Sequence, residues 1–491
     1  MRHFLHTAPR KGVAWSGRAV GVPPPPQRRA RRPRRYAATL AAAPEPASPR
    51  QQQQEKRQQE QRQQPARPVL LTCGEEVAAY TAQHPALAAA LGGSPDEWRV
   101  EEMRGGVINL AWSLERPGGA AVLVKQAPPY VRAVGPSFPL STERMRVEAA
   151  AMRLAHALSP GCVPPPLHYD AANAVLAMPL LPPPHLPLTD ALRDGATLPA
   201  LPRALAALLA ALYGASSEAA LGPEAHARAV ADFANADIVA ANEQVVLVGP
   251  FTPDDPGNAW LPQLDADVRA LWADAAAMSA VRRALGLYRS SREVLIHHDL
   301  HGGNILVDPG GDSMWVLDWE FATYGPASYD LGSVSASLLL AAVAAGLGGL
   351  PEAAPGARRR QCDWLLGAVV ELWEATLEEW WREKQRLAGR DNEQLSSQLS
   401  SGEDRAAWAA ALLADTLAFT GICMARLVVG MHSYQLFAGL PDQARARVDC
   451  ERAALRTARR LLAGGGGGRG VRGAVAIAAE EIAALASKPA D

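Results

Sequence analysis

The sequence lacks any clustering of cysteine. Its 491 residues hold five cysteines, spread from Cys73 to Cys450, with no CxxC pair and no histidine nearby at zinc-finger spacing. This scatter argues against a cysteine-based structural zinc site and against a disulfide framework, and it fits a reducing compartment. The chain also lacks an excess of positive charge, since its formal net charge is -1. Nucleic acid and anionic membranes attract positively charged proteins, so neither is expected as a partner.

Acidic residues are absent from the first 44 residues, which contain nine arginines and one lysine. A Gln/Glu/Arg tract follows at Gln51–Gln64. Because such compositions cannot bury enough apolar surface to offset the entropy of ordering, residues 1–66 are predicted to be a disordered extension. An arginine-rich N-terminus without acids is also typical of organelle transit peptides, which predicts a plastid location. A mis-assigned start, and with it a cytoplasmic protein, is the alternative.

The stretch Leu331–Leu350 lacks charge over twenty residues, which is the length of a membrane span. It is rich in Ala, Gly and Ser, and no Lys/Arg cluster precedes it. We interpret it as a buried helix of a large helical domain, with a membrane span as the alternative.

From Val69 onward, apolar residues recur at strand or helix spacing, and most of the strands come first. This order predicts an α+β protein with a small strand-rich N-lobe over residues 67–180 and a large helical C-lobe over residues 181–463. A flexible tail with a weak terminal helix is predicted over residues 464–491. The predicted strands are Arg99–Leu114, Ala120–Lys125, Ala174–Leu180, Val294–His298 and Met314–Leu317, and the predicted helices are Glu75–Leu91, Ser141–Leu158, Leu198–Tyr213, Ala219–Asn242, Leu264–Ser290, Cys362–Arg386 and Asp404–Ser433, with Pro441–Ala463 closing the fold.

Two segments carry residues suited to phosphoryl transfer, HHDLHGGN starting at His297 and DWE starting at Asp318. Asp299 is spaced to orient and deprotonate an alcohol, and Asn304 offers an amide oxygen to Mg²⁺. Asp318 ends an apolar strand and offers carboxylate oxygens to the same metal, with Glu320 two residues further. Each residue alone is more often a turn or cap residue. The combined spacing predicts a phosphotransferase that uses ATP and Mg²⁺.

Upstream residues fit the same chemistry. The turn Arg104–Asn109 contains two glycines, whose backbone can approach phosphate closely. Lys125 ends a predicted strand and is placed to meet nucleotide phosphates, and Glu148 on the following predicted helix is placed to hold that lysine. The alternative is that Lys125 is a solvated strand end and Glu148 part of a solvated helix face.

Together with these motifs, three longer stretches make the chain resemble the S-methyl-5-thioribose kinases, within the aminoglycoside and choline kinase-like superfamily. They are Val122–Leu140 (VLVKQAPPYVRAVGPSFPL), Phe321–Gly332 (FATYGPASYDLG) and Thr420–Gly430 (TGICMARLVVG). The resemblance extends over roughly Val69–Ala463. It implies a protein-kinase-like two-lobed fold, and transfer of the ATP γ-phosphate to the 1-hydroxyl of methylthioribose in methionine salvage.

The resemblance also implies roles for individual residues, and it leaves open whether the protein is a homodimer. The implied partners are ATP with Mg²⁺ and a small sugar. The implied ATP-binding residues are Asn109, Lys125 with Glu148, the interlobe segment Met178, Pro179 and Leu180, and Asp318, Trp319 and Glu320; the implied metal ligands are Asn304, Asp318 and Glu320; the implied catalytic and substrate-binding residues are Asp299 and Arg426.

Four positions depart from the family pattern. The family has Gly at His298, usually Ser at Asn304, Pro at Trp319 and a second Arg at Leu427. Asn304 moves the loop towards the pattern of aminoglycoside and choline kinases, and Leu427 removes a guanidinium from the sugar site. These changes motivate a second hypothesis, a kinase of the same fold acting on another sugar or an amino alcohol. A non-catalytic nucleotide-binding protein is the third.

Overall fold

The computed structural model describes residues 69–103, 106–181, 183–311, 313–351, 354, 356–388, 402–430, 435–441, 444–465 and 470–487. The predicted N-terminal extension and organelle address lie outside the described residues, as does the Arg104–Gly105 part of the glycine turn. The chain divides into Met1–Leu70 and Leu71–Asp491, and every described helix and strand belongs to the second unit.

A five-stranded antiparallel sheet forms the first part of the fold, in the order β1-β2-β3-β5-β4. Its strands are β1 (Arg99–Glu102), β2 (Leu110–Glu115), β3 (Ala121–Gln126), β4 (His168–Asp170) and β5 (Val175–Pro179). The predicted strands ending at Lys125 and Leu180 are confirmed. The predicted single strand Arg99–Leu114 is wrong in its middle, because the chain leaves the sheet between β1 and β2 in the loop that contains Asn109.

Side chains of β3 alternate between the two faces of the sheet, so one set packs in a core and the other faces the candidate site. Val122 and Val124 point to one face and pack in a core with helices α1 (Gly74–Gln83) and α2 (Pro85–Leu91). Lys125 points to the opposite face, which α3 (Glu143–Leu158) covers. The predicted helix Glu75–Leu91 is broken at His84, since Pro85 supplies no backbone N–H and starts a new helix.

The second part is helical and contains only short strands. Two predicted helices are split by local chemistry: Asp274 caps a new helix by accepting the N–H groups of Ala276 and Ala277, and the Gly222-Pro223 pair begins another. The short strands are β6 (Leu186–Pro187), β7 (Val294–Ile296), β8 (Ile305–Val307), β9 (Met314–Val316) and β10 (Thr323–Gly325), and the helices are α4 (Leu188–Arg193), α5 (Leu201–Ser216), α6 (Glu218–Leu221), α7 (Pro223–Asp232), α8 (Ala236–Asn242), α9 (Asp265–Ala273), α10 (Ala275–Ser290), α11 (Ala327–Gly346), α12 (Ala357–Ala388), α13 (Gly402–Val429), α14 (Gln435–Ala438), α15 (Arg445–Leu462) and α16 (Gly470–Ala486).

The uncharged stretch Leu331–Leu350 is a buried helix up to Gly346, where the helix ends, so the predicted helix is confirmed over most of its length. Two described helices are long and apolar enough to cross a membrane, α11 and residues Arg405–Val429 of α13. Within the protein, 94% of the apolar window of α11 and 72% of that of α13 are buried. Burial of this extent is what core helices of a helical domain show, so α11 forms the centre of the helical part.

Helices α11 and α13 cross at very short range. A Cβ added at Gly332 would lie 2.5 Å from the Cβ of Phe419 and 2.9 Å from the backbone nitrogen of Thr420. Only glycine permits this approach, because any larger residue overlaps the backbone of the neighbouring helix. The crossing fixes α13, and with it Arg426, relative to the loop that precedes α11.

The C-terminal segment corrects the prediction of a flexible tail. Helix α16 buries Val471, Ile477 and Ile482 and packs on α15, α12 and α11. Its Ile482 contacts Gly346 at the end of the central helix, where a Cβ would lie only 2.6 Å away. The predicted weak terminal helix is therefore an integral part of the helical core.

Candidate active site

The segment from His297 to Asn304 forms a loop between β7 and β8 that Asp330 holds in place. The carboxylate of Asp330 accepts the backbone N–H groups of His297 (2.7 Å) and His298 (2.8 Å). His297 donates from Nε2 to the carbonyl of Leu317 (2.8 Å) and accepts the backbone N–H of Asp299 (3.2 Å) at Nδ1. One buried carboxylate and one buried imidazole thus fix the direction of Asp299.

Asp299 is surrounded by donors. Its carboxylate accepts a hydrogen bond from Asn304 Nδ2 (3.2 Å), and His301 Nε2 lies 3.5 Å from the same oxygen. His301 accepts the Gly303 N–H (2.9 Å) at Nδ1, which places its own proton on the side of Asp299. Burial acts to raise the pKa of Asp299, but His301 and Arg426 outweigh it and hold the pKa below its usual range. Asp299 is therefore an ionised hydrogen-bond acceptor.

Lys125 lies among three carboxylates. Its Nζ is 2.9 Å from Glu148, pairs directly with Asp318 and lies 3.7 Å from Glu320. Burial acts to lower the pKa of Lys125, but the three carboxylates more than offset it and raise the pKa. The predicted pair of Lys125 and Glu148 is thus present, and the same lysine connects it to the DWE segment.

Arg144 links the glycine-bearing loop to the DWE segment, and it is completely buried. Its Nε donates to Asn109 Oδ1 (3.1 Å) and lies 3.2 Å from Glu320 Oε2, while Nη2 donates to the Pro128 carbonyl (2.8 Å). The side-chain amide of Asn109 is buried beside the carboxylate of Glu320 and interacts with it. Asn109 can donate to a ligand only by giving up that contact.

Two residues of the site adopt the left-handed backbone region that L-residues avoid, His298 (φ 69°) and Asp318 (φ 65°). The conformation of Asp318 directs its side chain, which is 40% exposed, towards Lys125. Trp319 behaves differently, because its side chain is buried and its indole N–H donates to the Val316 carbonyl (3.1 Å). The centroid of the Trp319 ring lies 4.6 Å from that of His297. Trp319 therefore packs against the loop that carries Asp299 and does not face a nucleotide.

The predicted interlobe segment begins at the end of β5. Met178 is buried, and Pro179 is the last residue of the strand. The Leu180 N–H donates to the carbonyl of Ala121 (3.0 Å), so this group is already occupied. Contact of the segment with an adenine ring therefore has to use other backbone groups.

Arg426, near the end of α13, is brought close enough to Asp299 to affect its charge state. Its Nε is buried and has no hydrogen-bond partner among the described residues. An unpaired buried guanidinium nitrogen beside an ionised carboxylate is a donor for a polar ligand. The next residue, Leu427, is partly buried and packs against the apolar core.

His298 occupies a closed polar network behind the loop. Asn242 donates from Nδ2 to His298 Nε2 (3.1 Å), and His298 donates from Nδ1 to the Phe321 carbonyl (3.1 Å). The rings of Tyr288 and Tyr329 lie 5.3 and 5.0 Å from the imidazole. Burial lowers the pKa of His298 to about 4, so the imidazole is neutral at physiological pH.

This neutral imidazole predicts acid sensitivity. In the unfolded chain His298 takes up a proton near pH 6.5, whereas in the folded protein it does so near pH 4. Its contribution to stability is therefore complete above about pH 6.5 and is lost as the pH falls towards 4. We expect the free energy of unfolding to fall between pH 7 and about pH 4.5 by about 2 kcal/mol more in the natural chain than in His298→Gly.

Urea unfolding at the two pH values measures this difference. Glycine suits the left-handed backbone at position 298, so the variant retains the loop conformation. His297 remains in both proteins and cancels in the comparison. Equal acid losses in the two proteins would contradict the assignment to His298.

The residues around Lys125 and Asp299 fit a divalent cation with a nucleotide. Asn304 uses its amide nitrogen to donate to the backbone oxygen (2.9 Å) and carboxylate of Asp299, so its amide oxygen is the side-chain atom left to bind a metal. A carboxylate and an amide oxygen are the hard ligands that Mg²⁺ takes from a protein, with phosphate oxygens completing its shell. Glu320 is less suited, since it is buried between Arg144 and Lys125.

Comparison with known proteins agrees with this geometry. Residues 99–365 match the model of the phosphotransferase enzyme family (APH), a range that contains the sheet, Lys125, the Asp299 loop and Asp318. The chain belongs to this phosphotransferase enzyme family. The fold class predicted from the sequence, α+β with a strand-rich first part and a large helical second part, is confirmed.

Individual relatives of this phosphotransferase carry a more specific name. Methylthioribose kinase 1 of Oryza sativa subsp. japonica is 31% identical over 395 residues, which are 79% of this chain and 90% of that protein. Methylthioribose kinase of Escherichia coli O45:K1 (strain S88 / ExPEC) is 29% identical over 392 residues, 76% of this chain and 88% of that protein. The resemblance recognised in the sequence is confirmed. A Plasmodium vivax ethanolamine kinase structure covers 84% of this chain and 95% of its own at 14% identity, with a TM-score of 0.38.

Four functional positions of the phosphotransferase site were not predicted from the sequence: Arg144, Asn242, His301 and Asp330. Two had a local signal. Arg144 precedes Glu148 by four residues and therefore shares its helix face, and His301 lies inside the HHDLHGGN motif. Asp330 and Asn242 had none, because they reach the loop from 32 and 56 residues away along the chain.

Proposed function

We propose that this phosphotransferase transfers the γ-phosphate of ATP to a hydroxyl of S-methyl-5-thioribose, a reaction of methionine salvage. The observation that carries the proposal is the placement of the ionised Asp299 between Asn304, His301 and Arg426. This arrangement can accept a hydrogen bond from one sugar hydroxyl while a neighbouring guanidinium donates to another. The names of the relatives from rice and Escherichia coli support the choice of sugar.

The nucleotide half of the proposal rests on the opposite wall of the site. Lys125, held by Glu148, supplies a positive charge to the phosphates, and Asn109, buried beside Glu320, supplies a second donor once it leaves that carboxylate. Arg144 keeps Asn109 and Glu320 in place without reaching the ligand itself. Asn304 and Asp318 would hold Mg²⁺, which when bound neutralises phosphate charge. The roles assigned from the sequence to Trp319 and Glu320 become supporting ones.

Asp299 acts mainly by position. Because its pKa is held below the usual range, it is a weak base, but it is always ionised and fixed by its donors. A weak but well-placed base is sufficient for phosphoryl transfer, because the transition state is loose and needs an aligned nucleophile more than a strong base. The hydroxyl proton passes to Asp299 Oδ as the bond from the sugar oxygen to the γ-phosphorus forms and the bond from that phosphorus to the bridging oxygen of ADP breaks. His301 lies beside the same carboxylate oxygen.

The test is ADP release by the purified full chain with ATP, Mg²⁺ and a panel of acceptors: methylthioribose, other pentoses, choline, ethanolamine and an aminoglycoside. We expect methylthioribose to have the highest kcat/KM. Turnover of an amino alcohol but not of methylthioribose would favour the second hypothesis, which the loss of an arginine at Leu427 motivates. Nucleotide binding with no turnover of any acceptor would favour a non-catalytic protein.

A variant tests the sugar site separately. Leu427→Arg places a second guanidinium next to Arg426, and we expect it to lower KM for methylthioribose by about tenfold, the effect of one charge-assisted hydrogen bond of roughly 1.5 kcal/mol. Leu427→Met, which retains an apolar side chain of similar volume, is the matched control and is expected to leave KM unchanged. A rise in KM in the arginine variant would show that Leu427 belongs to the core alone.

A further inference from the structure

Three potential metal ligands meet at the edge of the five-stranded sheet, away from the kinase site. His84 lies at the junction of α1 and α2, and His168 and Asp170 lie on the edge strand β4. Because they are two residues apart, the side chains of His168 and Asp170 point to the same face of the strand. The ligand atoms of the three residues lie within 4.8 Å of one another, and all three side chains are half-buried.

The surroundings of these groups resemble the second layer of a metal site. His84 donates from Nδ1 to the Tyr80 carbonyl (2.7 Å), which leaves the lone pair of Nε2 directed away from its own helix. Histidine ligands of metals commonly donate their other nitrogen in this way, and the contact fixes both tautomer and ring orientation. The imidazole of His84 lies 4.5 Å from that of His168, centroid to centroid.

Asp170 is also oriented in advance. One carboxylate oxygen accepts the N–H groups of Ala172 (2.9 Å) and Asn173 (3.2 Å), and the other accepts Tyr80 Oη (3.0 Å) and Asn173 Nδ2 (2.7 Å). These four contacts fix the orientation of both carboxylate oxygens.

Tyr80 lies at the centre of the group. Its hydroxyl is 3.0 Å from Asp170 and 3.2 Å from His168 Nε2, yet it has one proton and can donate to only one of them. The hydroxyl contacts both side chains and serves as an orienting group, not as a ligand.

We propose that His84, His168 and Asp170 form a binding site for Zn²⁺, with water as the fourth ligand. Two imidazoles and one carboxylate suit a borderline divalent ion, and three protein ligands plus water is a common zinc arrangement. In a tetrahedral site with bonds of about 2.0–2.1 Å the ligand atoms lie about 3.4 Å apart. The side chains therefore close in by about an ångström on binding, a change that rotation of half-buried rings permits. No cysteine takes part.

The position of the site gives binding a structural consequence. Zn²⁺ would join the end of α1 to the edge strand β4. That strand pairs with β5 in the register His168–Ala177 and Asp170–Val175, and the end of β5 forms part of the interlobe segment Met178–Leu180. Occupancy would therefore stabilise the sheet on the side of the interlobe segment, and the stability of the whole protein would rise with the logarithm of the free Zn²⁺ concentration.

Metal binding to the full, untagged chain tests the proposal. After removal of metals with a chelator, Zn²⁺ is titrated in competition with a chromophoric chelator. We expect the natural chain to bind about one more ion per chain than the double variant His84→Ala/His168→Ala, since ligand loss eliminates a three-residue site. Co²⁺ is expected to give visible absorption bands of a tetrahedral complex in the natural chain only. Tyr80→Phe, which removes the orienting hydroxyl, is expected to weaken binding about tenfold.

Controls separate this site from the kinase site. His156→Ala removes another half-buried histidine, which donates to the Val163 carbonyl (2.7 Å), and is expected to bind like the natural chain. Asp170→Asn retains the size of the side chain and one acceptor oxygen. It replaces the double variant in the titration if circular dichroism shows that the double variant is unfolded. Equal stoichiometry and affinity in the natural chain and these ligand variants, or binding only at millimolar Zn²⁺, would overturn the proposal. Kinase activity is not part of the readout, so the two proposals fail independently.

Discussion

Replacing Asp299 with asparagine is expected to reduce kcat by about 10²–10⁴-fold, the usual contribution of a positioned acid–base group. The amide retains the shape of the side chain but presents one neutral oxygen and one N–H₂ group to His301 and Arg426, which now surround an ionised carboxylate. The sugar hydroxyl then loses its proton acceptor and its alignment. The measurement is steady-state ADP release at saturating ATP and acceptor.

Nucleotide affinity separates this effect from general damage. Asp299 lies across the site from Lys125 and Glu148, so ADP binding by calorimetry is expected to be unchanged in Asp299→Asn. The matched control is Asp308→Asn in the turn between β8 and β9, whose carboxylate accepts the Gly310 N–H (2.9 Å). It is expected to retain natural turnover. If Asp299→Asn has the same kcat as the natural chain, Asp299 is not the proton acceptor.

Replacing Asp330 with alanine is expected to have the largest effect on stability. The change leaves the buried N–H groups of His297 and His298 without acceptors, at about 1–3 kcal/mol each, so the free energy of unfolding should fall by about 2–6 kcal/mol. The loop that carries Asp299 also loses its anchor, and a misplacement of about 1 Å lowers kcat by about 100-fold. Urea unfolding and ADP release measure the two effects.

A graded series tests this interpretation of Asp330. Asp330→Asn retains one acceptor oxygen of the two, so we expect its turnover to lie between those of the natural chain and Asp330→Ala. Asp363→Asn is the matched control: its exposed carboxylate lies 3.4 Å from Arg359 on α12, and a change within about 0.5 kcal/mol is expected. If Asp330→Ala retains natural turnover, the loop is held by other contacts.

How much of the site follows from sequence depends on the range of each interaction. Lys125 and Glu148 were predicted because strand and helix periodicity each place one polar residue on a defined face. Asp299, Asn304 and Asp318 were predicted from short-range spacing within or next to one loop. Arg144 was not predicted although it shares a helix face with Glu148, because its partners Asn109 and Glu320 lie 35 and 176 residues away along the chain.

The fold shows the same division. Long periodic helices such as α12 and α13 were predicted to within a few residues. The breaks at His84 and Asp274 depend instead on single residues, on Pro85 as the first residue of a new helix and on Asp274 as a side-chain cap. The helix α16 was underestimated because the glycine run Gly464–Gly468 precedes it in the sequence and is typical of a flexible tail. Its stability comes from packing on α15 and α12, and such tertiary contacts are not visible in a local window.

Lys125 and Asp318 form an ion pair, so the carboxylate of Asp318 competes with the phosphates of ATP for the lysine. The phosphates gain the lysine only by separating it from the aspartate, and the strength of that ion pair is subtracted from the observed affinity. The released carboxylate then needs another positive partner. Nucleotide affinity is therefore thermodynamically linked to the concentration of free divalent cation, which makes it a property of the surrounding medium as much as of the polypeptide.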